Sequence, residues 1–272
     1  MELQGHFDEL RRRGLGLAAI SYDPVETLAA FSAQRGITFP LLSDQGSEII
    51  KRYGLFNETV QSGTRAFGIP HPGIFVLNAR AEVAARFFEE EYQDRFTLSN
   101  VLLRLDGLEA PRGAPQSGAR PTRASHLDVH LSASDAMVAP GNRLSLLVQV
   151  TPGRRIHVYA PAAQDYIPVS IEVDASPLLK VHAPRFPPSE EYYFAPLKER
   201  VQVYQKPFTI AQDVTINASR EAQDALKAMS EIRITGTLEY QACDDKVCFK
   251  PESIPLSWTM KLKPLDREPV KR

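Results

Sequence analysis

The spacing of apolar positions in residues 1–106 changes along the chain and predicts helices that alternate with strands. Leu3, Phe7 and Leu10 lie at i, i+4 and i+7, which predicts an amphipathic helix over 3–13. Asp23-Pro24 predicts the start of another helix and Gly36 its end, because proline favours the first turn and glycine the position after the last. The other predicted elements are strands in LAAISYD (17–23) and ITFPLLSD (37–44), a helix in GSEIIKRYGLF (46–56), a strand pair at 74–77 and 83–88, and a closing helix over 96–105. This alternation predicts an α/β layer with a partly parallel sheet.

From residue 126 onward the pattern changes to short segments in which apolar and polar residues alternate, as half-buried strands require. Proline, glycine, asparagine and aspartate separate these segments, and one helix, REAQDALKAM (220–229), interrupts them. The predicted strands are HLDVHLSAS, RLSLLVQVT, RIHVYAP, PVSIEVD, VQVYQKPFTI, DVTINAS, EIRITGTLEYQA and SIPLSWTMKL. The pattern predicts an antiparallel sandwich. The stretch between the halves is rich in proline and poor in large apolar groups, which predicts a linker over 107–125.

The composition of the chain argues against nucleic-acid binding and membrane insertion. The formal net charge of −1 provides no basic footprint for nucleic acid or an anionic membrane. No apolar run approaches the roughly 18 residues that span a bilayer, so no membrane insertion is expected. The N-terminus, MELQGHFDELRRRG, has neither an apolar h-region nor a small-residue cleavage site, so the chain as given carries no signal peptide.

The stretch YQACDDKVCFKPE (240–252) holds Cys243 and Cys248, the only two cysteines in the 272 residues. A zinc site would need four ligands at short spacing, and the histidines are scattered. A structural disulfide is a second interpretation, although a ring this short would contribute only about 2 kcal/mol. The third is a reversible dithiol–disulfide couple at an exposed turn, where an attacking thiolate can reach it. The residues alone leave the last two open; no metal or cofactor is expected.

LEYQACDDKVCFKPESIPLSW (238–258) resembles the signature of the N-terminal periplasmic domain of the transmembrane reductant conductor DsbD, also called the disulfide bond corrector domain. The resemblance covers about 126–264. It implies an immunoglobulin-like sandwich and a periplasmic or extracytoplasmic location. It also implies that Cys243 and Cys248 accept electrons from a thioredoxin-like domain and pass them to oxidised thiol proteins.

The same resemblance implies an aromatic cap loop that shields the disulfide from stray oxidants. The segment EEYYFAPLKERVQVY lies where that loop falls, so Tyr192, Tyr193 and Phe194 are candidates for the cap. Ordinary packing at a strand end is the alternative interpretation of these three. Tyr240 and Phe249 flank the cysteines closely in sequence and are expected to support them.

Residues 2–105 are similar to the AhpC/TSA peroxiredoxin and redoxin group of the thioredoxin fold, through Ser21-Tyr22-Asp23, Phe31, FPLLSD (39–44), Tyr53-Gly54 and HPGIFVLN (71–78). Pro72 stands where that fold keeps its cis-proline. In that family a strand and a cysteine-bearing turn precede the helix that starts here at Glu2, and residues 1–242 hold no cysteine. We therefore expect no peroxidase activity from the chain as given. We also expect two unpaired strand edges, and hypothesise that the natural sequence begins further upstream.

The sequence thus predicts an α/β plus all-β protein: an incomplete thioredoxin-like domain (1–106), a linker (107–125), an immunoglobulin-like antiparallel β-sandwich (126–264) and a charged tail (265–272). The favoured function is thiol–disulfide exchange through Cys243–Cys248, the reaction of a thiol–disulfide oxidoreductase, with thioredoxin-like or other thiol redox proteins as partners. One alternative is a non-catalytic binding module with a structural disulfide. Another is a peroxiredoxin-type antioxidant, if upstream sequence restores the thiol.

Overall fold

A computed structural model of the chain describes residues 2–64, 67–89, 91–107, 122–163, 166–194 and 198–263. The helices in these ranges are α1 (Glu2–Gly5), α2 (Phe7–Arg12), α3 (Val25–Arg35), α4 (Glu48–Arg52), α5 (Leu98–Leu105) and α6 (Arg220–Leu226). The strands are β1 (Ala19–Ser21), β2 (Leu41–Ser43), β3 (Gly73–Leu77), β4 (Val83–Phe88), β5 (Arg95–Phe96), β6 (Thr122–Arg123), β7 (Leu127–Ala133), β8 (Met137–Val138), β9 (Asn142–Pro152), β10 (His157–Tyr159), β11 (Ser170–Val173), β12 (Leu179–Val181), β13 (Glu190–Phe194), β14 (Glu199–Tyr204), β15 (Phe208–Ile216), β16 (Glu231–Tyr240), β17 (Ala242–Cys243) and β18 (Glu252–Leu262). Within the same ranges, no helix combines the length and apolar character that crossing a bilayer requires.

The described residues form two compact units, one up to Leu98 and the other from Ser99. In the first unit, α3 ends at Gly36, which adopts φ +61° and donates its N–H to the Ser32 carbonyl, as its glycine stop signal predicted. Helix α4 begins where the Asp44 carboxylate accepts hydrogen bonds from the N–H groups of Ile49 and Ile50. Local signals in the sequence thus account for where these helices lie.

Four strands of the first unit form two separate two-stranded sheets among the described residues. β1 pairs with β2 in parallel, and β3 pairs with β4 in antiparallel register. The sequence predicted a partly parallel sheet; the parallel pairing is present in β1–β2, whereas β3 and β4 form a separate antiparallel sheet. The expected cis-proline at Pro72 is wrong, since the described residues contain no cis peptide bond. The trans form is the ordinary state of an X–Pro bond wherever tertiary contacts do not hold the cis form.

The second unit consists mainly of three β-sheets. Their strand orders are β12-β15-β9-β7-β6, β11-β16-β18-β8 and β13-β14-β10-β17. Every neighbouring pair is antiparallel except β18 and β8, which are parallel. The sequence had predicted an antiparallel sandwich, and this one pair differs from that prediction. Side chains from all three sheets share one hydrophobic core around Trp258, which is fully buried. The alternating burial along β16 and β18 is the period-two pattern that the sequence predicted.

Several element boundaries differ from the prediction. PFTI and DVTINAS form one continuous strand, β15, because each residue from Phe208 to Thr215 pairs with β9. β6 lies within the predicted linker and pairs with β7. Residues 108–121 of that linker and the predicted tail, 265–272, lie outside the described residues.

Within the second unit, the buried carboxylate of Asp213 connects helix α5 to the sheets. Asp213 accepts hydrogen bonds from Arg104 on α5, from Arg143 at 3.1 Å, from Arg185 at 2.9 Å and from the Ser145 hydroxyl at 2.7 Å. Burial alone would raise the pKa of Asp213, but the arginines and the hydroxyl outweigh it, so that the pKa is lowered. Beside this cluster, Leu103 of α5 packs on Leu147 and Ala211. These contacts place α5 in the same compact unit as the sheets; the predicted domain boundaries remain predictions.

Candidate redox site

A tight turn places the two cysteines opposite each other. Cys243 and Cys248 form an isolated antiparallel bridge with a Cα–Cα distance of 4.1 Å, and their sulfurs are joined in a disulfide. The Asp244 carboxylate closes the turn by accepting hydrogen bonds from the N–H groups of Lys246 and Val247, both at 2.7 Å. These hydrogen bonds also lower the pKa of Asp244. The chain therefore turns between the two cysteines, as expected from the sequence.

The two sulfurs have different surroundings. Cys243 ends strand β17 and is 1% exposed, whereas Cys248 lies beyond the turn and is exposed. Both sulfurs are bonded to each other in the disulfide, so neither cysteine carries a free thiol in this state. A thiolate arriving from solvent would therefore reach Cys248 before Cys243.

The sheet β13-β14-β10-β17 supports the buried sulfur on one of its faces. In an antiparallel pair, directly opposed residues project to the same face, and the register opposes His157 to Cys243 and Tyr159 to Val203. This face forms a small cluster of Tyr159, Val201, Val203 and Cys243, against which Ala163, Tyr166 and Tyr192 pack. The intervening residues Val158, Tyr204 and Ala242 belong to the main core. The sheet thus has two apolar faces, and the redox pair lies against the smaller cluster.

The hydroxyl of Tyr159 contacts both sulfurs. Its hydroxyl oxygen lies 3.4 Å from Sγ of Cys248 and 3.4 Å from Sγ of Cys243. Disulfide sulfurs carry no hydrogen, so the hydroxyl is the donor in both contacts. Burial raises the pKa of Tyr159 to about 12, with smaller contributions from Glu199 and Tyr192. The hydroxyl therefore keeps its proton at neutral pH.

His157 lies beside this pair and is 3% exposed. Its ring centroid is 4.6 Å from that of Tyr192 and 5.7 Å from that of Tyr159. Burial lowers the pKa of His157, although the charges of Asp244 and Asp245 oppose that shift. The imidazole is therefore neutral at neutral pH.

The predicted cap residues lie on β13 and divide between its two faces. Tyr192 packs on the cluster that contains Cys243. Tyr193 points away from that cluster and is 52% exposed. The Cζ atom of Arg200 lies 5.9 Å from the centroid of its ring. Phe194 is half-buried and opposes Glu199 across the hairpin. Their shielding role remains a prediction, and Tyr192 has the geometry that fits it best.

Tyr240 and Phe249 pack against the main core rather than in the small cluster around Cys243. Tyr240 is fully buried and donates its hydroxyl to Glu252 at 3.1 Å, and burial raises its pKa. Phe249 packs against the same core and stacks on His126 with ring centroids 4.0 Å apart. Tyr240 thus anchors the segment before the cysteine turn to the main core, and Phe249 anchors the segment after it. Among the described residues, no group of three or more potential ligands could hold a metal ion.

Sequence reasoning missed Tyr159, His157 and Tyr166. The alternation in HVY (157–159) does place His157 and Tyr159 on one face of a strand. The alternation does not show which other strand pairs with this one. The pairing of β10 with β17 brings these side chains next to Cys243, which lies 84 positions after Tyr159 in the chain.

Comparison with known families confirms both resemblances. Residues 1–86 match the AhpC/TSA family, and residues 129–255 match the family described as "Thiol:disulfide interchange protein DsbD, N-terminal". Peroxiredoxin Bcp of Escherichia coli (strain K12) is 30% identical over 98 residues, which is 36% of this chain and 58% of that protein. A peroxiredoxin relative of Mycobacterium tuberculosis is 32% identical over 68 residues, which is 25% of this chain and 43% of the relative. The chain thus spans less than two thirds of the length of either relative.

Two solved structures are similar to part of the chain. The N-terminal periplasmic domain of ScsB from Proteus mirabilis has 15% identity and a TM-score of 0.38, covering 54% of this chain and 51% of that one. The reduced DsbD N-terminal domain of Neisseria meningitidis has 18% identity and a TM-score of 0.29, covering 43% of this chain and 81% of that one.

Proposed function

We propose that this protein is a thiol–disulfide exchange protein that relays electrons to or from a protein partner through the Cys243–Cys248 couple. The observation that carries the proposal is the asymmetry of the disulfide, with Cys248 exposed and Cys243 1% exposed beside a hydroxyl donor. Exchange needs one sulfur that an incoming thiolate can reach and a second that can leave. The two family matches support the same general chemistry.

The reductive half-reaction follows from this asymmetry. A partner thiolate attacks Sγ of Cys248, a partner–Cys248 disulfide forms, and Cys243 leaves with the electron pair of the broken bond as a thiolate. The second thiolate of the partner then attacks the partner's first sulfur in that mixed disulfide. The partner's own disulfide forms, and Cys248 leaves as a thiolate. The two cysteines take up two protons from solvent. In balance, this chain gains two electrons and two protons, and the partner dithiol becomes a disulfide.

The Tyr159 hydroxyl assists the step in which negative charge develops on Cys243. It lies 3.4 Å from that sulfur and keeps its proton, because burial raises its pKa to about 12. A hydrogen bond to a charged acceptor is worth more than one to a neutral acceptor. The contact therefore strengthens as the disulfide becomes a thiolate.

The resemblance supports finer assignments that belong to the same proposal. The second unit is an immunoglobulin-like sandwich that acts outside the cytoplasm, and its partners are thioredoxin-like or other thiol redox proteins. The ScsB domain is named as periplasmic, which accords with that location. Residues 1–242 contain no cysteine, so the relay proposed here uses only the Cys243–Cys248 pair.

The reduction potential of the pair tests the proposal. The protein is equilibrated in thiol redox buffers, and free thiols are counted by mass spectrometry. A potential of about −180 to −270 mV, the range of exchange proteins, is the expected result. A potential below about −300 mV is typical of structural disulfides and would favour a binding module with a static disulfide instead.

A further inference from the structure

His157 is a buried imidazole that directly opposes the buried cysteine. The register of β10 and β17 pairs His157 with Cys243, and the Cβ atoms of directly opposed residues lie about 4.5–5.5 Å apart on the same face of a sheet. The two residues are 3% and 1% exposed. Among the described residues, none forms a hydrogen bond with the ring nitrogens of His157. A titratable side chain therefore lies beside the sulfur on which charge develops in the proposed exchange.

Phenol side chains are the other polar neighbours of the imidazole on this sheet. Tyr159 lies on the same strand as His157, and its hydroxyl keeps its proton because burial raises its pKa to about 12. Glu199 on β14 contributes to that shift and accepts a hydrogen bond from Tyr166. Tyr192 on β13 packs on the imidazole with ring centroids 4.6 Å apart. Tyr159 can therefore donate a hydrogen bond to a thiolate, but it does not supply the proton that would balance the thiolate charge.

The cysteine turn brings negative charge close to His157. Burial lowers the pKa of His157, whereas the charges of Asp244 and Asp245 raise it. Lys246 is the basic residue of the turn, and its charge acts on Asp244. With the disulfide intact the effect of burial prevails, so the imidazole is neutral at neutral pH. Reduction adds a further negative charge when Cys243 becomes a thiolate, and an opposite charge within roughly 4–6 Å favours the charged form of an imidazole.

We propose that His157 and Cys243 share one proton after reduction, so that an imidazolium balances the thiolate of the buried cysteine. The purpose of this pair rests on the proposed exchange function, but its charge coupling can be measured with any reductant. A partner dithiol gives two electrons to the disulfide, the S–S bond breaks, and two protons enter from solvent. One proton goes to Cys248, and the other goes to the Cys243–His157 pair as thiol and imidazole or as thiolate and imidazolium. In reoxidation the Cys243 thiolate attacks Cys248 in the mixed disulfide, the partner thiolate leaves, and the imidazolium returns its proton to solvent.

Nuclear magnetic resonance of the full-length chain tests the coupling from the side of the imidazole. The protein is titrated once as the disulfide and once after full reduction, and the resonances of its six histidines are followed. We expect the titration midpoint of His157 to lie at least about one pH unit higher in the reduced protein. The other five histidines are expected to titrate alike in both states. The resonance that disappears in His157→Gln assigns the one that moves.

Ionisation of Cys243 gives the reciprocal measurement. In Cys248→Ser the remaining cysteine has no disulfide partner, and its thiolate is followed by ultraviolet absorbance as a function of pH. Adding His157→Gln is expected to raise the midpoint by at least about one pH unit, because each charge of a coupled pair stabilises the other. His182→Gln is the matched control, since its ring bonds to Thr215 on β15, a strand of another sheet. That substitution is expected to leave the Cys243 midpoint unchanged.

Equal midpoints of His157 in the two redox states would overturn the proposal, as would a Cys243 midpoint that does not respond to His157→Gln. The wild-type comparison does not depend on whether the variant folds, because one histidine resonance must move on reduction. The reduction potential separates this failure from failure of the exchange function. An exchange-range potential without the coupling removes only the role of His157, whereas a structural-range potential with the coupling intact removes only the exchange function.

Discussion

The hydroxyl of Tyr159 lies 3.4 Å from the sulfur of Cys243, although 84 positions separate the two residues in the chain. Adjacent strands bring them together, since β10 pairs with β17 and opposes His157 to Cys243. The buried cysteine therefore has a protonated donor next to it at the place where charge develops in the proposed exchange.

Removing that hydroxyl is expected to slow reduction of the disulfide. In Tyr159→Phe the leaving Cys243 thiolate loses its donor, so we expect reduction by dithiothreitol to slow by about tenfold, which corresponds to roughly 1.4 kcal/mol. The rate is measured by quenched thiol counting between pH 6 and 9. Tyr204→Phe is the control, because its hydroxyl donates to the Pro187 carbonyl elsewhere in the same unit. Equal rates for Tyr159→Phe and wild type would show that the contact does not assist the leaving thiolate.

The burial asymmetry predicts different behaviour for the two single-cysteine variants. Cys243→Ser leaves the exposed Cys248, and Cys248→Ser leaves a cysteine that is 1% exposed in the native fold. We expect mixed-disulfide formation with oxidised glutathione to be at least about tenfold faster in Cys243→Ser. In denaturant the two variants should react alike, because the difference arises from folding. A native-state preference for Cys243 would reverse the assigned order of attack.

The Asp213 cluster is expected to dominate the acid sensitivity of the second unit. Asp213→Asn leaves Arg104, Arg143 and Arg185 without their shared carboxylate, so we expect a loss of about 3 kcal/mol in the free energy of unfolding. Urea unfolding followed by the fluorescence of Trp258, the only tryptophan and a fully buried one, provides the measurement. Asp224→Asn removes an exposed i,i+3 pair with Lys227 and should change stability by less than about 0.5 kcal/mol.

The same carboxylate predicts a direction for the pH dependence. The pKa of Asp213 is lower in the folded state than in the unfolded chain, so its stabilisation is complete above the unfolded pKa of about 3.9 and is lost as pH falls through the folded pKa. Wild-type stability should therefore fall more steeply below about pH 4 than that of Asp213→Asn. Parallel pH profiles would mean that other carboxylates govern acid unfolding.

Gly236 is expected to tolerate no side chain. A Cβ at this position in β16 would lie 2.3 Å from the Glu172 carbonyl oxygen on β11, so Gly236→Ala must shift one strand and should cost about 1–3 kcal/mol. Ser253→Ala changes an exposed position on the neighbouring strand β18 and should stay within about 0.5 kcal/mol of wild type. Trp258 fluorescence reports both variants, and equal midpoints would contradict the close approach of β11.

The sequence by itself determined the features that depend on neighbouring residues. Period-two alternation predicted β16 and β18, and the short spacing of the cysteines placed Cys243 and Cys248 at a turn, where the structure opposes them. Gly36 predicted the end of α3, because a left-handed residue there is favoured for glycine. These interactions act within a few positions, so the chain reveals them directly.

Tertiary structure alone decided which sulfur is buried and what surrounds it. The order β13-β14-β10-β17 places Tyr159, Tyr192 and His157 beside Cys243, and strand order depends on contacts across the whole unit rather than on local spacing. The same reason explains the two-stranded sheets of the first unit and the ring of arginines around Asp213. Each requires partners that are distant in the chain, and their pairing is set by which apolar faces the folded unit can bury together.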